Sequence, residues 1–134
     1  MSTPTTLGIS HVGLTVRDLA QTVTFFVDIL GFKQVGGKPD YPSAFISDGA
    51  CVLTLWQAKR PDSAGSFDRA NQIGLHHLAL NVSPETLDRL GEQLLALPKC
   101  DVEFSPELSG AGPARHMMVA IPGSAIRLEL RSDR

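Results

Sequence analysis

The chain carries the same pattern twice. Residues 8–32 read GISHVGLTVRDLAQTVTFFVDILGF and residues 74–97 read GLHHLALNVSPETLDRLGEQLLAL, so His77, Leu80 and Val82 stand 66 positions after His11, Leu14 and Val16. A repeat this long in 134 residues calls for two copies of one supersecondary unit. Each copy opens with period-two alternation and then switches to helical spacing. Leu19, Val23, Phe26 and Leu30 make one apolar stripe, and Leu87, Leu90, Leu94 and Leu97 the other. Helix signals agree with the stripes. Asp18 followed by Gln21 looks like a capping box, Ser83-Pro84 offers a capping hydroxyl and a first-turn proline, and Gly31 closes the first helix.

Short extended stretches come after each helix. They fall near 33–36, 43–47 and 51–57 in the first copy, and near 101–104, 115–121 and 125–131 in the second, divided by Pro, Gly, Asp and Ser turns. Each copy is therefore strand, helix, strand, strand, strand, and the fold class expected is α+β with two βαβββ modules. The organisation predicted is a disordered arm at 1–7, a first module at 8–58, a linker at 59–73 and a second module at 74–134.

Composition narrows the function. Twelve Lys and Arg against fourteen Asp and Glu give no broad positive field for nucleic acid or an anionic membrane. No apolar run reaches the roughly 18–20 residues of a membrane span, and the opening MSTPTT has no secretory pattern. A cytoplasmic protein is expected. Cys51 and Cys100 lack CxxC spacing and read as free thiols.

Strand parity separates two faces. Val12, Leu14 and Val16 oppose His11, Gly13 and Thr15; Leu78, Leu80 and Val82 oppose His77, Ala79 and Asn81. In the last strands Leu53 and Leu55 oppose Thr54 and Trp56, while Leu128 and Leu130 oppose Arg127, Glu129 and Arg131. The aliphatic faces belong under the helices. Gly13 and Ala79 on the other faces suit a lined cavity, since small strand residues mark close approach of a ligand. His76 is predicted to face the helix as a core residue, and Phe25, Phe26 and Phe32 to pack.

These residues resemble the vicinal oxygen chelate superfamily, the glyoxalase/bleomycin resistance/dioxygenase group. HVGLTVRD is similar to its first-strand His-x-Gly-x-x-Val-x-Asp, FFVDILGF to its helix end, and HLALNV and PGSAIRLEL to the second-half counterparts. The resemblance implies curled mixed sheets, one main helix per module, and a divalent ion (Fe2+, Mn2+, Zn2+ or Ni2+) held by His11, His77 and Glu129. The fourth family position falls on Thr54, a departure, because a hydroxyl is a poor ligand for a transition ion; Gln57, three residues on, lies on the opposite face. Small members of the group work as homodimers, so a symmetric dimer with sites at the module or chain interface is expected.

Two imidazoles and one carboxylate leave positions open for a bidentate, anionic oxygen substrate. Glu129 and His116 are the catalytic candidates; Thr54, Trp56, Arg127, Gly13 and Asn81 are the substrate-binding ones, with Arg131 adding positive charge. Among the group's chemistries the His/His/Glu set slightly favours extradiol-type ring cleavage. The alternatives are a glyoxalase I-like isomerase (lactoylglutathione lyase), a thiol transferase, and a metal-free small-molecule-binding protein of the bleomycin-resistance kind.

Overall fold

A computed structural model describes residues 2–133; Met1 of the expected arm and Arg134 of the second module lie outside the described residues. The chain divides into two compact units, Met1–Ala64 and Gly65–Arg134.

The first unit runs β1 (Val12–Val16), α1 (Leu19–Thr24), a π-helical turn (Phe25–Ile29), β2 (Lys33–Lys38), β3 (Tyr41–Ser47) and β4 (Val52–Gln57), then a short 3-10 turn at Pro61–Ser63. Its sheet has the order β1-β4-β3-β2, with β1 parallel to β4 and the other pairs antiparallel. The second unit runs β5 (Leu78–Asn81), α2 (Pro84–Leu95), β6 (Asp101–Leu108), β7 (Arg115–Ala120) and β8 (Arg127–Ser132). Its order is β5-β8-β7-β6, again with one parallel pair, β5 with β8. Two mixed four-stranded sheets, each with a main helix, are the α+β architecture that the repeat implies. No helix among the described residues is long and apolar enough to cross a membrane.

Caps fall where the sequence puts them. Asp18 accepts a hydrogen bond from the Gln21 N–H and Ser83 accepts one from the Thr86 N–H. Gly31 takes the left-handed conformation at φ 76° just past the helical segment, which glycine adopts without a Cβ clash. The α2 stripe buries Leu87, Leu90 and Leu94 as spaced, but the helix ends at Leu95, so Leu97, expected in the stripe, lies beyond it and is half-buried; Met117, Val119, Leu128 and Leu130 are buried in the same unit.

The first helix departs from its expected stripe. Phe25 and Phe26 are both buried together with Thr22, while Leu19, Val23 and Leu30 are only half-buried. The π turn over Phe25–Ile29 adds a residue to the turn and rotates the side chains beyond it, so a strict 3.6-residue period cannot hold across it. Phe25, Phe26 and Phe32 meet edge to face in the core, and contacts of this kind add to their burial.

The strand β6 is longer than the 101–104 expected and passes through Pro106. Its place at the sheet edge allows this, because an edge proline costs no ladder hydrogen bond on its outer side. The strand β8 begins at Arg127 rather than 125, since Ala125 sits at φ 62° inside the preceding turn.

Candidate functional site

Cross-strand register places the site residues. On the parallel pair β1–β4, Gly13 stands beside Thr54; on β5–β8, Ala79 stands beside Glu129. His11 and His77 each sit two residues upstream, immediately before β1 and β5. The two sheets thus repeat the same arrangement, with Thr54 where the second unit has a carboxylate.

Glu129 is buried, with 8% of its surface exposed, and its two oxygens face different imidazoles. His77 Nε2 lies 3.3 Å from Oε2, and His116 Nδ1 lies 3.1 Å from Oε1. His116 reaches it from β7, where Met118 pairs with Glu129 and His116 lies two residues away on the same face. Its ring packs against Phe104 with centroids 4.9 Å apart, which fixes the imidazole plane. Arg131 Nη1 is 3.5 Å from the same oxygen and also donates to Ser109 Oγ, while its Nε donates to Asp133.

Arg127 points along the sheet toward Glu103. Its Nε and Nη2 donate to the two carboxylate oxygens at 3.0 and 2.8 Å, a forked pairing that suits guanidinium and carboxylate geometry. The bond from Arg127 holds the Glu103 carboxyl below its ordinary range, and the same bond raises Arg127. Ala120 of β7, in register with both Arg127 and Asp101, puts only a methyl group between β8 and β6.

His76 differs from its expected place. It is exposed, not part of the core, and its Nδ1 lies 2.8 Å from His77 Nδ1 and 3.4 Å from Arg127 Nη1. Strand alternation does not reach it, because β5 begins only at Leu78. His76 and Glu103 are the site neighbours that sequence reasoning missed. The adjacent histidines were a visible signal, whereas the Glu103 pairing depends on a three-strand register that no local pattern encodes.

In the first unit His11 is exposed, and its Nδ1 lies 3.0 Å from Ser10 Oγ. Thr54 is buried and accepts a hydrogen bond from the Trp56 indole N–H at 3.0 Å. A Cβ on Gly13 would come within 3.1 Å of the Thr54 hydroxyl oxygen, so the absent side chain keeps space open there. Trp56 meets Tyr41 edge to face at 5.0 Å and Phe45 at 5.6 Å, with Lys38 Nζ 5.8 Å from the Trp56 ring. Gln57 is committed elsewhere: its Oε1 accepts from the Leu19 N–H and its Nε2 donates to the Arg17 carbonyl. Asn81 is exposed at the end of β5, beside Arg131 in register.

Tested as a metal site, the donor chemistry fits in part. An imidazole nitrogen and a carboxylate oxygen abut at His77 and Glu129, the donor types that divalent transition ions take. The Thr54 oxygen is already engaged with an indole N–H. Among the described residues no group of three or more His, Cys, Asp or Glu is arranged to hold an ion, so His77 with Glu129 is the portion of the expected set that the second unit brings together.

Comparison with known proteins decides the family. The family model for the Glyoxalase/Bleomycin resistance protein/Dioxygenase superfamily matches residues 8–119. The chain belongs to this superfamily. Among curated relatives it is 28% identical over 129 residues to a 2-epi-5-epi-valiolone epimerase from an Actinomyces species, covering 82% of this chain and 69% of that protein. Its fold matches the fosfomycin resistance protein FosX from Listeria monocytogenes at a TM-score of 0.72 and 19% identity, over 95% of this chain and 93% of that one. It also matches lactoylglutathione lyase from Agrobacterium tumefaciens at 0.69 and 19% identity, over 96% of both chains. At such identities these structures speak for the fold of the superfamily.

Proposed function

We propose that this superfamily member is a divalent-metal-dependent enzyme that moves a proton beside a carbonyl of a small, anionic, oxygen-rich substrate, as an epimerase or isomerase does. The observation that carries the reading is the buried Glu129 carboxylate, flanked by His77 on one oxygen and His116 on the other. His77 and Glu129, joined by His11 as third donor, would hold the ion, and the ion would supply Lewis acidity toward the substrate's oxygens.

The rest of the chemistry belongs to the side chains. Donation from His116 Nδ1–H to Glu129 fixes the tautomer and leaves Nε2 unprotonated, the form needed in a base. His116 Nε2 takes the proton from the carbon next to the carbonyl and returns it to the adjacent carbon in an isomerisation; in an epimerisation solvent delivers a proton to the other face and His116 releases its own to solvent. No electrons are gained or lost overall, so no oxidant is required. An epimerase among the curated relatives supports this class over the ring cleavage that donor count alone favours. The forked Arg127–Glu103 pair occupies that guanidinium, and Arg131, itself bonded to Asp133 and Ser109, is the cation nearer to Glu129.

A second reading, extradiol ring cleavage, is favoured by the aromatic group Tyr41, Phe45 and Trp56 on the face that carries Thr54, an apolar wall suited to a flat ring. The test compares deuterium uptake from D2O into a cyclic polyhydroxy ketone, and into the hemithioacetal of methylglyoxal and glutathione, with oxygen consumption on catechols. Protein purified without chelator is used, its metal measured first. Exchange that falls about a hundredfold or more in His116→Gln, with metal content retained, supports the proposal. Oxygen uptake without exchange favours ring cleavage, and the absence of bound metal favours a binding protein. We further propose a cytoplasmic homodimer as the working form.

A further inference from the structure

We propose that the first unit carries an anion subsite, Lys38 and Lys59 beside a platform of Trp56, Tyr41 and Phe45, and that the substrate is a polyhydroxy ring bearing a phosphate monoester. The inference rests on the proposed function for the chemistry at the ring and deepens it by naming the substrate class. Strand register builds the platform. Tyr41, Ser43 and Phe45 alternate with the buried Ala44 and Ile46 on β3, and Thr54 and Trp56 alternate with the buried Leu53 and Leu55 on β4. Ser43 pairs with Trp56 and Phe45 with Thr54, so the three rings share the face opposite the aliphatic one. A Cβ on Gly36 would stand 3.2 Å from the Phe45 ring, and one on Gly13 would stand 3.6 Å from Trp56 Nε1. Both rings therefore lie low over backbone that carries no side chain, an arrangement that leaves room for a ligand. All three rings are half-buried. The indole is held by its N–H bond to Thr54 and by ring contacts with Tyr41 and Phe45, so little order is lost when something stacks on it.

Two cations border the platform. Lys38 closes β2 in register with Tyr41, and Lys59 follows β4 by two residues. Lys38 Nζ lies 5.8 Å from the Trp56 ring centroid, and Lys59 Nζ lies 5.3 Å from that of Tyr41. Every ion pair among the described residues falls in the second unit, so neither ammonium has a carboxylate partner, Asp40 in the turn between Lys38 and Tyr41 included. An exposed ammonium resting on a ring gains little. A phosphate monoester, with a charge of roughly −1.5 to −2 at pH 7, matches two such groups, whereas a carboxylate matches one. Ser43 supplies the argument for a polyhydroxy ring. Its Oγ accepts from the Lys38 N–H at 2.9 Å, which leaves its own O–H to donate to a ring oxygen, a contact that a hydrocarbon ring cannot return.

Trp56 is the sole tryptophan of the chain, so its emission reports directly on the platform. The full-length protein as purified is titrated with glucose 6-phosphate, glucose, inorganic phosphate and phenyl phosphate, and each affinity is checked by calorimetry. Glucose 6-phosphate is expected to quench saturably, with a Kd at least about tenfold below those of the other three, since one molecule joins the ring and anion contacts. Lys38→Met and Lys59→Met remove the charge from exposed side chains and should each weaken that binding about 3–10-fold. Together they should reduce it to the level of glucose. Lys99→Met makes the same charge change in the turn after α2 and should stay within about twofold of wild type, its charge being remote and screened. Absence of quenching up to about 10 mM glucose 6-phosphate overturns the inference. So does inorganic phosphate binding equally well, phenyl phosphate binding more tightly, or Lys99→Met losing as much as Lys38→Met. The function on which the inference rests fails separately, if His116→Gln keeps wild-type deuterium exchange.

Discussion

Thr54 occupies the position that corresponds, by register, to Glu129 in the other sheet, and its surroundings say what a carboxylate would meet there. Gly13 contributes no side chain beside it, and the Trp56 indole N–H already points at it. Thr54→Glu should therefore gain a charge-assisted bond from the indole and, on the proposed metal reading, a further ligand. Zinc affinity is expected to rise tenfold or more, about 1.4 kcal/mol. Without metal the buried carboxylate should cost roughly 1–3 kcal/mol, so urea midpoints with and without zinc should move in opposite directions from wild type. A second residue-scale prediction concerns Glu103. Arg127 lowers its pKa in the fold below the ordinary 4.5. A depressed carboxylate contributes stability above the unfolded value and loses it as pH falls through the folded one. Glu103 has 39% of its side chain exposed, so the contribution is small, at most about 1 kcal/mol. Glu103→Gln should be slightly less stable than wild type at pH 7, and in urea titrations the gap should close as pH falls below the ordinary glutamate value through the lowered one. His11 and His77 stand out in the sequence because the repeat aligns them, whereas Glu129 is marked only by the family resemblance, and of the two histidines the second unit brings His77 to it. His116 is singled out as a candidate by the sequence, but its contact with Glu129 follows from the β7–β8 register, and the Arg127 contact with Glu103 from β7 lying between β8 and β6; neither is encoded by a local pattern.

At the scale of elements, sequence legibility tracked the regularity of each segment. The second helix keeps its period from Leu87 to Leu94 and departs from the sequence reading only at its end, which falls before Leu97, whereas the first loses phase at the π turn. Strand ends failed where parity was extended beyond real pairing, as at His76. The β6 edge was cut short because a proline reads as a breaker when the strand's edge position is unknown. That same proline makes the contact with α2 testable. Gly91 is buried on the helix, and a Cβ there would stand 2.7 and 2.8 Å from Pro106 Cγ and Cδ. Alanine is about 1 kcal/mol better than glycine inside a helix, so propensity alone predicts a gain from Gly91→Ala. The contact is too short for either group to yield cheaply, since the pyrrolidine ring cannot rotate away. We expect a net loss of about 1–3 kcal/mol in urea unfolding, much of it recovered in Gly91→Ala with Pro106→Ala, giving a coupling of about 0.5 kcal/mol or more in the double-mutant cycle.

At the scale of the molecule, the repeat separates the proposed ligands. His11 belongs to the first unit, while His77, His116 and Glu129 belong to the second. On the dimer reading, one site takes His11 from one copy and the His77–Glu129 pair from the other. Single variants cannot reveal such sharing, but a mixture of two can. His11→Ala and His77→Ala chains should each lack complete sites as homodimers. When they are mixed and allowed to exchange, half of the dimers are mixed, and in each of these one site joins the intact His11 of one chain to the intact His77 of the other. Zinc binding and activity should then recover to about a quarter of the wild-type level. If instead each site is built within one chain, every site in the mixed dimer lacks one histidine and nothing is recovered. Exchange is verified by mass spectrometry of the intact dimers, and light scattering at micromolar concentration must give a dimer mass. A monomer with full activity would remove the dimer from the account while leaving the Glu129 chemistry to be judged by the deuterium-exchange measurement.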